Sequence, residues 1–160
     1  MIRGKRKPIT SEQALQRLEE LCATAEVCSG EARDKLKRWG FSSEDIENII
    51  VSLTDRKFID NRRFALAYAH DKFFFGGWGR IKIGIQLQGK KIPQDIIREA
   101  VESIDESQYR ERLHDQIKRE TNRHADDISD FAVKQKIARR FMSRGFEPSL
   151  VIAVLKEILR

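Results

Sequence analysis

Apolar residues recur along this chain at the helical spacing i, i+3, i+4, i+7, and one such set occurs three times. The first is Ile46, Ile49, Ile50 and Leu53. The second is Ile97, Ala100, Val101 and Ile104, and the third is Val151, Val154, Leu155 and Ile158. Upstream of each set stands a matching pair: Ala32 with Leu36, Ile83 with Leu87, and Ile137 with Phe141. Between pair and set lies a turn, Gly40-Phe41, Lys91-Ile92 or Gly145-Phe146. The register shifts by 51 residues and then by 54. Self-similarity on this scale marks stacked supersecondary units, each too small to bury its face alone. The expected fold is all-α: three tandem three-helix repeats forming an elongated array. The predicted boundaries are a basic N-terminal arm at 1–10 and repeats at 11–59, 60–104 and 105–160.

The punctuation supports that division. Gly40 and Gly145 stand where a helix must stop, and glycine takes the left-handed conformation cheaply. Ser42 can cap the following helix, and Pro93 and Pro148 suit its first turn. Lys91 occupies the glycine position in the second copy, so that turn is expected to close differently. Each copy also needs a leading helix. The first spans Ala14 to Cys22 with Leu15, Leu18 and Leu21 apolar; Asp60 and Asp105 are plausible N-caps for the other two. Phe58-Ile59 and Ser103 to Ser107 leave almost no linker between copies, so the units should stack, with Gly76-Gly77 allowing local play.

One segment, Arg80-Ile-Lys-Ile-Gly-Ile-Gln-Leu-Gln, alternates as a strand would. The copies aligned with it read as helices and it has no strand to pair with, so a helix is expected here too. Ile83 and Leu87 then share a face, with Ile81 and Ile85 beside it.

Composition narrows the picture. Hydrophobic residues make up 40% and charged residues 35%, which suits a surface-rich shape rather than a ball. The net charge is +6, unevenly spread. Residues 1–10 carry four bases and no acids (+4), 11–59 seven and ten (−3), 60–104 eight and five (+3), and 105–160 twelve and ten (+2). Such a balance favours an anionic partner. Cys22 and Cys28 form no CxxC and read as reduced thiols of a cytoplasmic protein. The basic start is followed by no apolar run of signal-peptide length, so a secretion signal is not expected, nor is a membrane span.

The chain offers no catalytic constellation. His70, His114 and His124 lack i, i+4 partners and nearby cysteines, and no phosphate-loop or dinucleotide motif occurs, so neither enzyme, cofactor nor metal is expected. Phe73-Phe74-Phe75 reads as the last turn of a helix, two rings in the core and one at a unit junction; the alternative is an exposed aromatic contact. Trp39 reads as a packing residue. The bases are the better sign of binding. Lys72, Arg80, Lys82, Lys90 and Lys91 surround one helix of the second copy, and Lys134, Lys136, Arg139, Arg140 and Arg144 the equivalent helix of the third. Arg33, Lys35, Lys37 and Arg38 recur in the first. These could form one partner-binding stripe, or simply a solvated face.

Phe58-Ile59-Asp60-Asn61-Arg62-Arg63-Phe64-Ala65, Gly79-Arg80-Ile81, Lys91-Ile92 and Arg144-Gly145-Phe146, with Ala14-Leu15 and Gly40-Phe41, resemble the RecX family of recombination regulators over about residues 12–159. Asn61 stands where that family usually has aspartate, Lys91 where it usually has glycine, and the phenylalanine run is long for it. The resemblance implies a curved array of three-helix repeats and carries no catalytic residue. It implies a cytoplasmic monomer that binds the RecA–single-stranded DNA filament. There it would inhibit extension, ATP hydrolysis and strand exchange, with single-stranded DNA as a further contact. A direct helix-turn-helix-like DNA-binding protein is the alternative.

Overall fold

A computed structural model describes residues 8–160 as nine α-helices without strands. The four bases of the N-terminal arm, Arg3, Lys5, Arg6 and Lys7, lie outside the described residues. The helices are α1 (Ser11–Thr24), α2 (Ser29–Arg38), α3 (Ser43–Asp55), α4 (Asn61–Phe74), α5 (Arg80–Gly89), α6 (Gln94–Glu102), α7 (Glu106–Arg123), α8 (Phe131–Ser143) and α9 (Pro148–Ile158). They pack mainly in threes: α1 and α2 on α3, α4 and α5 on α6, α7 and α8 on α9.

Local chemistry explains the helix starts. The Asp60 carboxylate accepts the Arg63 N–H, that of Asp105 accepts Gln108 N–H, and the Ser42 hydroxyl accepts Asp45 N–H. Each satisfies one of the donors a helix start leaves orphaned. Pro148 is the first residue of α9, whereas Pro93 sits one place earlier, at the cap of α6. Thr10 and Gln13 close a reciprocal capping box on α1.

The three aligned turns close identically. Gly40, Lys91 and Gly145 all have positive φ, 89°, 61° and 93°. In each, the next residue donates its N–H to the carbonyl five back: Phe41 to Leu36, Ile92 to Leu87, Phe146 to Phe141, all at 3.2 Å. This is the Schellman arrangement. The expectation that Lys91 would close its turn differently is therefore corrected. The bonds and the burial of Ile92 outweigh a left-handed lysine, which costs roughly 1 kcal/mol. Lys57 does the same at the end of α3 (φ 61°), where Phe58 donates to Leu53.

The alternating segment is helix α5, with Ile83 and Leu87 fully buried and Ile81 and Ile85 exposed. The aligned apolar positions are buried in all three copies, except that Val101, Ile158 and Phe41 are only half-buried. They do not make three cores. One cluster spans residues 14–59, and a second runs continuously from Phe64 to Leu155 and takes in Cys28. The accessible surface is 10742 Å2, against about 8,200 Å2 for a compact monomer of 18.6 kDa, so the fold is open.

Candidate interaction surface

The middle helices of the three triplets, α2, α5 and α8, meet end to end. At the first meeting point α5 begins against the end of α8. Gly79 N–H donates to the Arg144 carbonyl at 2.8 Å, and Ile81 N–H to the Gly145 carbonyl at 3.0 Å. Orphan donors of one helix thus satisfy orphan acceptors of another, with the helix dipoles head to tail. A Cβ on Gly79 would lie 2.3 Å from Gly145 carbonyl atoms, so only glycine permits the approach.

Two side chains complete that junction. Tyr109 Oη, fully buried, accepts Arg80 N–H at 3.0 Å and donates to Glu147 Oε2 at 2.7 Å. Burial first, and then the bond to Glu147, push this phenol well above its ordinary range. The Arg80 guanidinium lies 4.1 Å over the Tyr109 ring and donates to the carbonyls of Val101 (3.0 Å) and Ile104 (2.8 Å). It also pairs with Glu106 at 2.9 Å.

At the second meeting point α5 ends against the start of α2. A Cβ on Gly30 would lie 2.3 Å from the Lys90 carbonyl oxygen. Asn61 bridges α4 to the same spot: its Oδ1 accepts Ser29 N–H and its Nδ2 donates to Ser29 Oγ, both at 2.9 Å. Lys90 Nζ pairs with Glu31 at 2.7 Å, partly shielded from solvent, which holds the ammonium pKa above its usual value. The three helices contain 10, 10 and 13 residues, about 50 Å of helix at 1.5 Å per residue.

The bases singled out from the sequence fall into different environments. Arg80 is turned inward and spends its donors within the fold. Lys72 and Lys82 flank the Trp78 ring, at 4.9 and 4.3 Å from its centroid; Lys72 and Lys90 also lie over Tyr68. Lys91 is exposed and shares a hollow with Arg33, Asp34 and Lys37 of α2. Lys134, Lys136 and Arg139 on α8 have no ion-pair partner among the described residues. Arg140 and Arg144 lie in a separate cleft of about 390 Å3 between the end of α4, α7 and α8.

That cleft contains residues not anticipated. Arg112, Arg119 and Arg123 of α7 join Arg140 and Arg144, and the sole carboxylate lining it is Glu120. Glu120 is buried and already engaged, by Arg140 at 2.7 Å and Arg123 at 3.5 Å. Arg144 finds only the Gln116 amide oxygen, at 3.2 Å, and the Phe141 ring. Burial, then repulsion from Arg140, pull its pKa below the usual value, with Glu120 opposing. The spacing 112, 116, 119, 123 is one helical face, and that periodicity was available in the sequence.

The phenylalanine run splits three ways. Phe73 is fully buried, Phe74 is half-buried under Arg112 at 4.6 Å, and Phe75 is 84% exposed at the cleft rim. The expectation of two core rings and one junction ring is thus corrected by Phe75, which follows the last turn of α4 and points outward. Trp39 is half-buried and packs on the first core under Arg17. Among the described residues, no group of three or more His, Cys, Asp and Glu is placed to hold a metal, and no helix is long and apolar enough to cross a membrane.

Fold and surface define an all-α protein of packed helical triplets, with exposed cations on α2 and α8 and an arginine-lined cleft against α7. Residues 60–101 match the family model for RecX, second three-helix domain. The chain is 25% identical over 130 residues to the regulatory protein RecX of Clostridium botulinum strain Alaska E43, covering 81% of this chain and 60% of that protein. It is 24% identical over 159 residues to that of Thermotoga maritima, covering 98% and 91%. With that of Prosthecochloris aestuarii it shares 27% over 149 residues, covering 93% and 95%. The chain therefore spans about 60% of the clostridial relative and nearly all of the other two. The crystal structure of RecX from Lactobacillus salivarius superimposes with a TM-score of 0.82 at 19% identity, covering 92% of this chain and 96% of that one, which bears on the fold. The resemblance to the RecX family read from the sequence is borne out, and so is the all-α fold.

Proposed function

We propose that this chain is a regulatory protein of the RecX type that binds the RecA–single-stranded DNA filament. In this reading it inhibits filament extension, ATP hydrolysis and strand exchange, acting as a monomer in the cytoplasm. The observation that carries the reading is the end-to-end meeting of α8, α5 and α2, each bearing cations. Three repeats held in line by backbone contacts form a long rigid surface suited to a repeating anionic partner, and the similarity to RecX proteins supports the same partner. The helix-turn-helix alternative is weaker. The helices after the turns would face DNA with Glu44, Asp45 and Glu47 in α3, and with Asp95, Glu99 and Glu102 in α6.

The test is ATP hydrolysis by RecA on single-stranded DNA, with this protein added well below one copy per recombinase. Hydrolysis should fall and filaments should shorten under electron microscopy. Unchanged hydrolysis and filament length at stoichiometric amounts would sink the reading. Lys134, Lys136 and Arg139 are the cleanest surface probes, because changing them to glutamate breaks no internal ion pair among the described residues. The same change at Lys90 would set two carboxylates against each other at Glu31.

A further inference from the structure

The cleft between the end of α4, α7 and α8 is strongly cationic, and three of its arginines lie on α7, outside the line of α2, α5 and α8. Five arginines line it against one carboxylate, whose oxygens already bond Arg140 and Arg123. Arg119 and Arg144 have no carboxylate partner among the described residues. The cleft continues into a second hollow of about 380 Å3 along α7, sharing Phe74, Arg112, Gln116 and Arg119. Glu111 and Asp115 stand at that far end. Together the two make an open channel along one face of α7.

The rim is as informative as the floor. Phe75 stands 84% exposed, and a bare ring beside fixed cations has no use to the fold. Gly76 and Gly77 follow it, so no side chain screens the ring from the arginines. The Arg112 and Arg144 guanidiniums lie 4.6 and 5.0 Å from the ring centroids of Phe74 and Phe141, which helps hold them at the walls. Cations along a channel with an aromatic platform at its edge match single-stranded nucleic acid, which offers phosphates and unstacked bases together. An acidic peptide would leave the ring unused, and a duplex offers no free base to stack.

We propose that this cleft binds the backbone of single-stranded nucleic acid, with Arg119 and Arg144 on phosphates and Phe75 stacked on a base. The proposal deepens the filament reading by assigning this cleft to the nucleic acid rather than to the recombinase. It is tested without recombinase, so its failure is distinct from failure of that reading.

The experiment is fluorescence anisotropy of a labelled oligo-dT strand with the full chain across a salt series. The wild type should bind with a log–log salt slope of about −1.4, as for two phosphate contacts to a single strand. Arg119→Glu and Phe75→Ala, both at exposed positions, should each weaken binding about tenfold. Arg119→Glu should also flatten the salt slope, which Phe75→Ala should not. Arg98→Glu, an exposed reversal on α6, is the charge-matched control, and circular dichroism confirms that each variant is folded. The proposal is overturned if wild type does not bind, if Arg119→Glu weakens binding no more than the control, or if Phe75→Ala has no effect. Equal displacement of the strand by polyglutamate, or tighter binding of duplex, would overturn it as well.

Discussion

Gly79 and Gly145 touch backbone to backbone across the junction of α5 and α8. Hydrogens take the place of side chains there, and N–H groups of Gly79 and Ile81 reach the carbonyls of Arg144 and Gly145. The contact joins the second triplet to the third through backbone atoms, which have no rotamers through which to retreat. Both glycines lie in strings that carried the family resemblance, and the geometry gives a physical reason for those residue types.

Gly79→Ala tests this contact directly. The added methyl would sit 2.3 Å from the carbonyl carbon and oxygen of Gly145 and 2.4 Å from Phe146 N, all backbone atoms that cannot rotate aside. The helices must separate and the two hydrogen bonds lengthen. Destabilisation of about 3 kcal/mol is expected by denaturant unfolding, at the upper end for overpacking. Gly89→Ala is the control, since a Cβ there meets nothing within 4 Å. Helix propensity favours alanine at Gly89, so no loss of stability is expected there, and a Gly79→Ala protein as stable as the wild type would show that the junction tolerates a side chain.

Lys91 gives the opposite expectation. Its φ of 61° places a lysine where Gly40 and Gly145 stand in the aligned turns. Lys91→Gly removes the left-handed strain and keeps the Schellman bonds, so stability should rise by about 1 kcal/mol. For a chain of this length that is a melting temperature about 3 °C higher. Lys57→Gly should act likewise, and the two gains should add because the turns close different helices, α3 and α5. Unchanged or lower melting temperatures would mean that the turns are relaxed with lysine in place.

How much of this was legible in the sequence follows from which interactions are local. Helix periodicity, the caps at Ser42, Asp60 and Asp105, and the aligned core positions depend on neighbours within a turn or two, and they were readable. The closing of the Lys91 turn was not, because its outcome depends on Ile92 being buried by α5 and α6, a tertiary gain that exceeds a local cost. The inward fate of Arg80 was hidden for a similar reason: its acceptors are carbonyls twenty or more residues away. The arginines of α7 were missed although their spacing was visible, because only the fold brings them opposite Arg140 and Arg144. Phe75 was misassigned because a run of three identical rings does not say where the helix ends.

Tyr109 links the α5–α8 junction to pH. Its phenol is buried between Arg80 N–H and Glu147, and it titrates above the ordinary value of 10.0, chiefly through burial. The folded state therefore keeps a proton that the unfolded chain releases near pH 10. The stability from this group is fully present below pH 10 and is lost as pH rises past it, at up to about 1.4 kcal/mol per pH unit. The buried Cys28 thiol adds loss in the same direction from its ordinary value of 9.0 upward, again mainly through burial. Denaturant unfolding between pH 8 and 11, under reducing conditions, should show stability declining above about pH 9 and more steeply above about pH 10. Tyr109→Phe should cost about 1 kcal/mol at pH 8, because Arg80 N–H loses its acceptor. The same change should lessen the steeper part of the decline, to which Tyr68, raised by burial, and Lys90, raised by its bond to Glu31, also contribute, while leaving the thiol part. A decline of equal slope in wild type and Tyr109→Phe would mean that the phenol does not govern alkaline stability.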